Sequence, residues 1–157
     1  MGFFDRLRRL VPGREPTESF ARGTHALERG RFELAEAAFG QALVAAERPA
    51  QVALVHNKLA LVALGRGDRN GTIAALVAAL EADPRSAAAL TTVGNLLLED
   101  GDADEAVVHY EYAILVDEGY GPAYHNLGVA FHRAGRRREA VRMLRKASRL
   151  EGRMRRF

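Results

Sequence analysis

Apolar and small residues recur along the chain in a fixed register, and a glycine marks each recurrence. Gly67, Gly101 and Gly135 are spaced by 34 residues, and Gly30 lies 37 residues before the first of them. A small residue stands seven positions before each glycine: Gly23, Ala60, Gly94 and Gly128. A bulky apolar residue stands nine positions after each glycine, and an alanine stands twelve positions after it. The register predicts four helix pairs joined at the glycines, because a positive φ at a helix C-terminus costs little only for glycine.

Composition supports helices throughout. Ala and Leu dominate the 48% of residues that are hydrophobic, and both are strong helix formers. Pro49, Pro84 and Pro122 fall between the copies, where a helix must stop or start. At 157 residues the chain is predicted to form one all-α domain. An ordinary helical bundle is the alternative, and the agreement of several columns in four copies argues against it.

The residues around the glycines resemble a known repeat consensus. The stretch Ala123-Tyr124-His125-Asn126-Leu127-Gly128, followed by Gly135 and Glu139-Ala140, is similar to the tetratricopeptide repeat, and the similarity covers about residues 16–154. The resemblance implies a right-handed α-solenoid of four helix–turn–helix repeats at about 16–52, 53–86, 87–120 and 121–154. A basic amphipathic segment and linker at 1–15 would precede this domain, and a basic tail at 155–157 would follow it.

The resemblance also implies a function. Proteins of this family bind a peptide or helix of a partner in a concave groove, and they act as adaptors, scaffolds or assembly factors rather than as enzymes. Carried onto this chain, the groove would be lined by the first helix of each pair. Its residues would be Phe20, Thr24, Asn57, Lys58, Leu61, Thr91, Asn95, Leu98, His125, Asn126, Val129 and His132. The alternative for each residue is that it packs internally or simply faces water.

Some family members bind chaperone C-termini through a basic clamp, which needs Lys and Arg on several first helices. Among the groove residues here only Lys58 qualifies clearly. The sequence therefore argues against a chaperone-tail receptor.

Charge is strongly segregated along the chain. The net charge is +3, but residues 15–130 carry −9 and residues 131–157 carry +9. The last predicted helix presents a basic C-terminal surface of Arg138, Arg142, Arg145 and Arg149. Binding of a polyanion, a nucleic acid or a membrane surface is therefore the alternative function. Nucleic acid is disfavoured, because the body is acidic and no aromatic residues interleave with the arginines.

The N-terminal segment has its own pattern. Phe3, Phe4, Leu7, Leu10 and Val11 fall within about 120° of helix surface in residues 3–11. A helix this short needs a surface, and the segment's own solenoid, another protomer and an anionic membrane all remain open, as does disorder. No signal-peptide core or membrane span is apparent, so we expect a cytoplasmic protein that is peripheral at a membrane if this segment binds one.

Catalytic and cofactor chemistry finds little support. There is no cysteine, no glycine-rich phosphate loop and no serine in a nucleophile-elbow context. His125 and His132 are seven residues apart and lack a third ligand at metal spacing, so neither a metal nor a cofactor is expected. The acidic run at residues 99–105 lacks the spacing of a calcium loop and is interpreted as a solvated turn.

Charge polarity also predicts weak self-association, or capture of an acidic partner, at the C-terminal end. The apolar residues Val141, Leu144 and Leu150 of the last helix would supply short-range burial. An acidic surface would be steered to the arginines beside them.

Overall fold

A computed structural model describes residues 16–154. Within that range the chain forms eight α-helices and no strand, which confirms the predicted all-α class. It divides into two compact units, an N-terminal unit ending at Asp83 and a C-terminal unit beginning at Pro84. The segment at 1–15 and the tail at 155–157 lie outside the described residues, so the expectations for them stay predictions.

The N-terminal unit contains two helix hairpins. Helices α1 (Pro16–Glu28) and α2 (Phe32–Ala45) form the first, and α3 (Pro49–Gly65) and α4 (Arg69–Ala82) form the second. Helix α3 packs against both α1 and α2, which joins the hairpins. Because Pro49 sits in the first turn of α3, where its fixed φ suits a helix, α3 begins a few residues before the predicted repeat start near residue 53.

The C-terminal unit repeats this arrangement. Helices α5 (Ala87–Asp100) and α6 (Ala103–Val116) form one hairpin, and α7 (Gly121–Arg133) and α8 (Arg137–Met154) form the other. Helix α7 packs against both α5 and α6. The core of this unit centres on Tyr110, Leu127 and Phe131.

The turns inside the hairpins follow the predicted glycine register. Gly30, Gly67, Gly101 and Gly135 all have positive φ, between 66° and 95°. No other residue in the described range has a positive φ. The glycine spacing of the sequence therefore reports a backbone requirement at each turn.

In three of the four hairpins the small residue of the first helix is a glycine, and it forms a socket for a side chain of the second helix. A Cβ built on Gly94 would lie 2.6 Å from Cε1 of Tyr110, and one built on Gly23 would lie 2.6 Å from Cε1 of Phe39. In the last hairpin the same socket at Gly128 holds Leu144, whose Cγ would be 2.8 Å away. In each of these hairpins one large side chain of the second helix thus packs directly against the backbone of the first helix at the glycine.

The packing of α8 differs from the expectation that its apolar stripe stays open. Leu144 fills the Gly128 socket, Ala147 is buried, and Leu150 lies beside Gly121. Val141 alone of the predicted stripe is exposed, at 47%. Most of the stripe is covered because these residues of α8 pack against α7, the other helix of the same hairpin.

Within residues 16–154 no helix combines the length and the apolar character that crossing a bilayer requires.

Candidate interaction surface

Two of the predicted groove asparagines meet in the C-terminal unit. Asn126 on α7 donates from Nδ2 to Oδ1 of Asn95 on α5, at 2.8 Å. The hydroxyl of Tyr110 on α6 donates to the same Oδ1, at 2.9 Å. Three helices therefore fix the orientation of one amide, and both acceptor positions of Asn95 Oδ1 are used.

This arrangement leaves a donor beside an acceptor. In the described structure Asn95 Nδ2 and Asn126 Oδ1 make no hydrogen bond to the protein. Both asparagines are half-buried, neither of these atoms is a buried unpaired atom, and the bond between the two side chains orients both amides. A paired amide donor and acceptor match the carbonyl and N–H of an extended peptide backbone.

Further predicted residues lie on the same two helices. His125 and His132 are exposed on α7, and Val129 lies between them, half-buried. Leu98 is half-buried on α5, one turn from Asn95. We call the set Asn95, Leu98, His125, Asn126, Val129 and His132 the α5–α7 surface.

Two predicted groove residues lie inside the protein. Thr91 is buried, and its hydroxyl donates to the carbonyl of Ala87 at 2.7 Å, so it serves its own helix. Asn57 is only 4% exposed. Among the described residues none donates a hydrogen bond to its Oδ1, which is therefore a buried and unpaired acceptor.

The other predicted residues lie in the N-terminal unit. Lys58 on α3 places its Nζ 5.9 Å from the centre of the Phe20 ring on α1, a cation–π contact. The Thr24 hydroxyl donates to the Phe20 carbonyl at 3.0 Å, and Leu61 is half-buried on α3. These contacts bring Phe20 and Lys58 together and tie up the Thr24 hydroxyl within α1.

Tyr110 has a role that sequence reasoning assigned only to packing. Its ring fills the Gly94 socket, while its hydroxyl orients Asn95. Burial raises the pKa of Tyr110 to about 12, so the phenol stays a hydrogen-bond donor across the neutral range. The sequence held one indication of this role: the equivalent position of the other three repeats holds Phe39, Leu76 and Leu144, so only Tyr110 has a hydroxyl there.

The arginines of the predicted basic C-terminal surface lie on the last helix. Arg138, Arg142, Arg145 and Arg149 are all exposed along α8. The acidic run at residues 99–105 is largely exposed around the start of α6. Within residues 16–154 no group of three His, Cys, Asp or Glu side chains is placed to hold a metal ion.

Comparisons with known proteins point to one repeat family. Residues 97–152 match a sequence model described as tetratricopeptide repeat. The structure resembles MamA, with a TM-score of 0.61 and 21% identity over 98% of this chain and 88% of that one. It also resembles YrrB, a repeat protein described as having an unusual peptide-binding site, with a TM-score of 0.57 and 23% identity over 96% and 75% of the two chains.

A third similar structure is that of PilF from Pseudomonas aeruginosa. Its TM-score is 0.68, with 25% identity over 86% of this chain and 60% of that one. No curated protein matches the sequence significantly.

Proposed function

We propose that this all-α chain, which matches a tetratricopeptide-repeat model over residues 97–152 and resembles the repeat protein YrrB in fold, is an adaptor or assembly factor without enzymatic activity. In this proposal it binds an extended peptide segment of a partner protein at the α5–α7 surface. The observation that carries the proposal is the fixed amide pair, Asn95 and Asn126, with one donor and one acceptor left over.

The chemistry of the surface favours an extended peptide over a small charged ligand. The amide pair satisfies backbone groups of any sequence, so side-chain selection falls to its neighbours. Leu98 and Val129 offer apolar contact, and His125 and His132 offer ring contact or hydrogen bonds. Extended peptides combine backbone hydrogen bonds for affinity with side-chain contacts for specificity.

The proposal is tested with peptides selected from a random displayed library on the full chain. We expect Asn126→Ala to raise the dissociation constants of the selected peptides about fivefold, because the loss of one hydrogen bond costs about 1 kcal/mol. Asn70→Ala, at an exposed position on α4, is the matched control and should leave the affinity unchanged. Isothermal titration calorimetry gives both dissociation constants.

Two results would contradict the proposal. One is a library that yields no binding peptide. The other is a set of peptides that bind wild type, Asn126→Ala and Asn70→Ala with equal affinity, which would place their site elsewhere on the protein.

A further inference from the structure

The second helix of the third hairpin carries an apolar stripe that its own unit leaves open. Val108, Tyr112 and Leu115 on α6 are 60%, 42% and 74% exposed. Their spacing of four and three residues places them on one helix face. The opposite face of α6, with Ala106, Tyr110 and Ala113, is buried against α5 and α7. The exposed face therefore has no packing role within its hairpin.

Acidic side chains border this stripe. Asp104, Glu105 and Glu111 are exposed on the same helix. The whole hairpin, residues 84–120, holds eight acids and one arginine, a net charge of −7. We call Asp104, Glu105, Val108, Glu111, Tyr112 and Leu115 the α6 face. An apolar stripe inside a negative rim selects a partner that is basic and has aliphatic surface.

The last helix presents the opposite charge. Arg138, Arg142, Arg145 and Arg149 follow one another at intervals of four, three and four residues, so they form one straight stripe on α8. Residues 121–154 hold nine cations and two acids, a net charge of +7. We call these arginines and Val141 the α8 face. It is long, basic and poor in apolar side chains, apart from the arginine methylenes.

The arginines of the α8 face have no ion pair within the described chain. The pKa of Glu139, on the same helix, is lowered chiefly by hydrogen bonds from Arg136 and more weakly by the charge of Arg142. Arg136 occupies both carboxylate oxygens of Glu139. The positive charge of the stripe is therefore left for a partner.

The two faces do not meet within one copy. Helix α6 packs against α5 and α7, and α8 packs against α7, with no packing between α6 and α8 in the described residues. Some compensation exists at the turn before α8, because Asp104 and Glu111 add to the raised pKa of Arg136, which is due mainly to Glu139. That compensation involves Arg136 and leaves the α8 face unpaired.

We propose that the α6 face of one copy binds the α8 face of a second copy. Arginine methylenes would cover the apolar stripe, and the guanidinium groups would reach the carboxylates around it. The Tyr112 ring offers a further site for a guanidinium. The same unit already uses such contacts, with Arg136 4.2 Å from the Phe131 ring centre and Lys146 Nζ 5.7 Å from that of Tyr124.

This contact differs from self-association driven by the apolar stripe of α8. Leu144 and Leu150 already close their own hairpin, so α6 supplies the apolar surface and α8 supplies the charge. A nucleic acid fits the α8 face less well. It would meet the acidic neighbouring hairpin, and α8 contributes no aromatic side chain for base stacking within the described residues.

The test uses complementary charge reversals in the full chain. Arg142→Glu with Arg145→Glu disrupts the α8 face, and Glu105→Arg with Glu111→Arg disrupts the α6 face. By sedimentation velocity, each variant alone should have a self-dissociation constant at least tenfold above wild type. An equimolar mixture of the two should restore association, because each variant keeps the face that the other lacks.

Controls separate this contact from general charge effects. Arg29→Glu with Arg31→Glu, in the N-terminal unit, should associate like wild type. Salt at about 1 M, where the screening length falls to about 3 Å, should weaken the wild-type contact. Far-UV circular dichroism confirms that each variant is folded.

Three outcomes would overturn the proposal. Wild type could remain monomeric at high micromolar concentration, or both reversal variants could associate as strongly as wild type. The mixture of the two variants could also stay monomeric. Wild type could also be monomeric and be retained on duplex DNA or on vesicles of anionic lipid. If only the variant with Arg142→Glu and Arg145→Glu then loses that retention, the α8 face binds a polyanion instead.

Discussion

Asparagine side chains show what one residue can do at equivalent places in a repeat. Asn95 and Asn126 hold each other and Tyr110 in a hydrogen-bonded cluster. Asn57, predicted from the sequence to share their surface, is buried with an unpaired Oδ1. The sequence placed all three on first helices. It could not tell which amides would be exposed, because burial depends on neighbouring helices that the periodic pattern does not describe.

These environments predict opposite effects for one isosteric substitution. Asn57→Leu should raise the free energy of unfolding by about 1 kcal/mol, because it removes a buried acceptor that has no donor. Asn95→Leu should lower it by about 1–2 kcal/mol, because it leaves the Tyr110 hydroxyl and the Asn126 amide without their acceptor. Urea denaturation followed by circular dichroism measures both. A loss of stability in Asn57→Leu would mean that its amide is paired in solution.

Tyr110 predicts a dependence of stability on alkaline pH. Its pKa is about 12 in the folded protein against an ordinary value of 10, owing first to burial. As the pH rises, Tyr110 therefore ionises in the unfolded state before it ionises in the folded state. The contribution of neutral Tyr110 to the stability of the fold is complete below pH 10 and is lost as the pH rises towards 12. Between pH 8 and pH 11 this loss amounts to about 1 kcal/mol.

Tyr110→Phe is the matched control for that effect. Tyr120 and Tyr124 also have raised pKa values, chiefly from burial, and they act equally in both proteins. Urea midpoints at the two pH values should therefore fall less for Tyr110→Phe than for wild type. Equal falls would show that Tyr110 ionises at its ordinary pKa.

At the scale of the helix, the glycine register predicted much of the hairpin design. The turn glycines have the positive φ that their positions required. The pattern did not predict that the small residues Gly94 and Gly128 would lie directly against the large side chains of Tyr110 and Leu144. The fate of the α8 stripe was not predictable from its own pattern. The same apolar residues can close a hairpin or meet a second molecule, and only the position of α7 decides between them.

Two helical glycines give a matched pair that tests this design. Gly40 in α2 has nothing within 4 Å of a built Cβ, so Gly40→Ala should raise the free energy of unfolding by about 0.5–1 kcal/mol through helix propensity. Gly94→Ala should lower it by about 1–2 kcal/mol, because the Tyr110 ring must move. Chemical denaturation distinguishes the two. Stabilisation of both variants would show that the Gly94 socket is not tightly filled.

At the scale of the whole chain, the distribution of charge indicates where a partner would bind and says little about the fold. The sequence showed that acids and arginines occupy different regions, but it did not show which side chains would be paired. The structure assigns Glu139 to Arg136 and leaves the four arginines of the α8 face without an acid in the described chain. A partner surface is thus defined by the charges that remain after internal pairing.

The position of the tyrosines has a spectroscopic consequence. Tyr110, Tyr112, Tyr120 and Tyr124 all lie in the C-terminal unit, and the chain has no tryptophan. Intrinsic ultraviolet emission therefore originates from that unit, whereas the largest buried ring of the N-terminal unit is Phe39, a weak emitter. Far-UV circular dichroism records the helices of both. A melt followed by both signals separates the two units without a label, and an added peptide can be assigned to the unit whose transition it shifts.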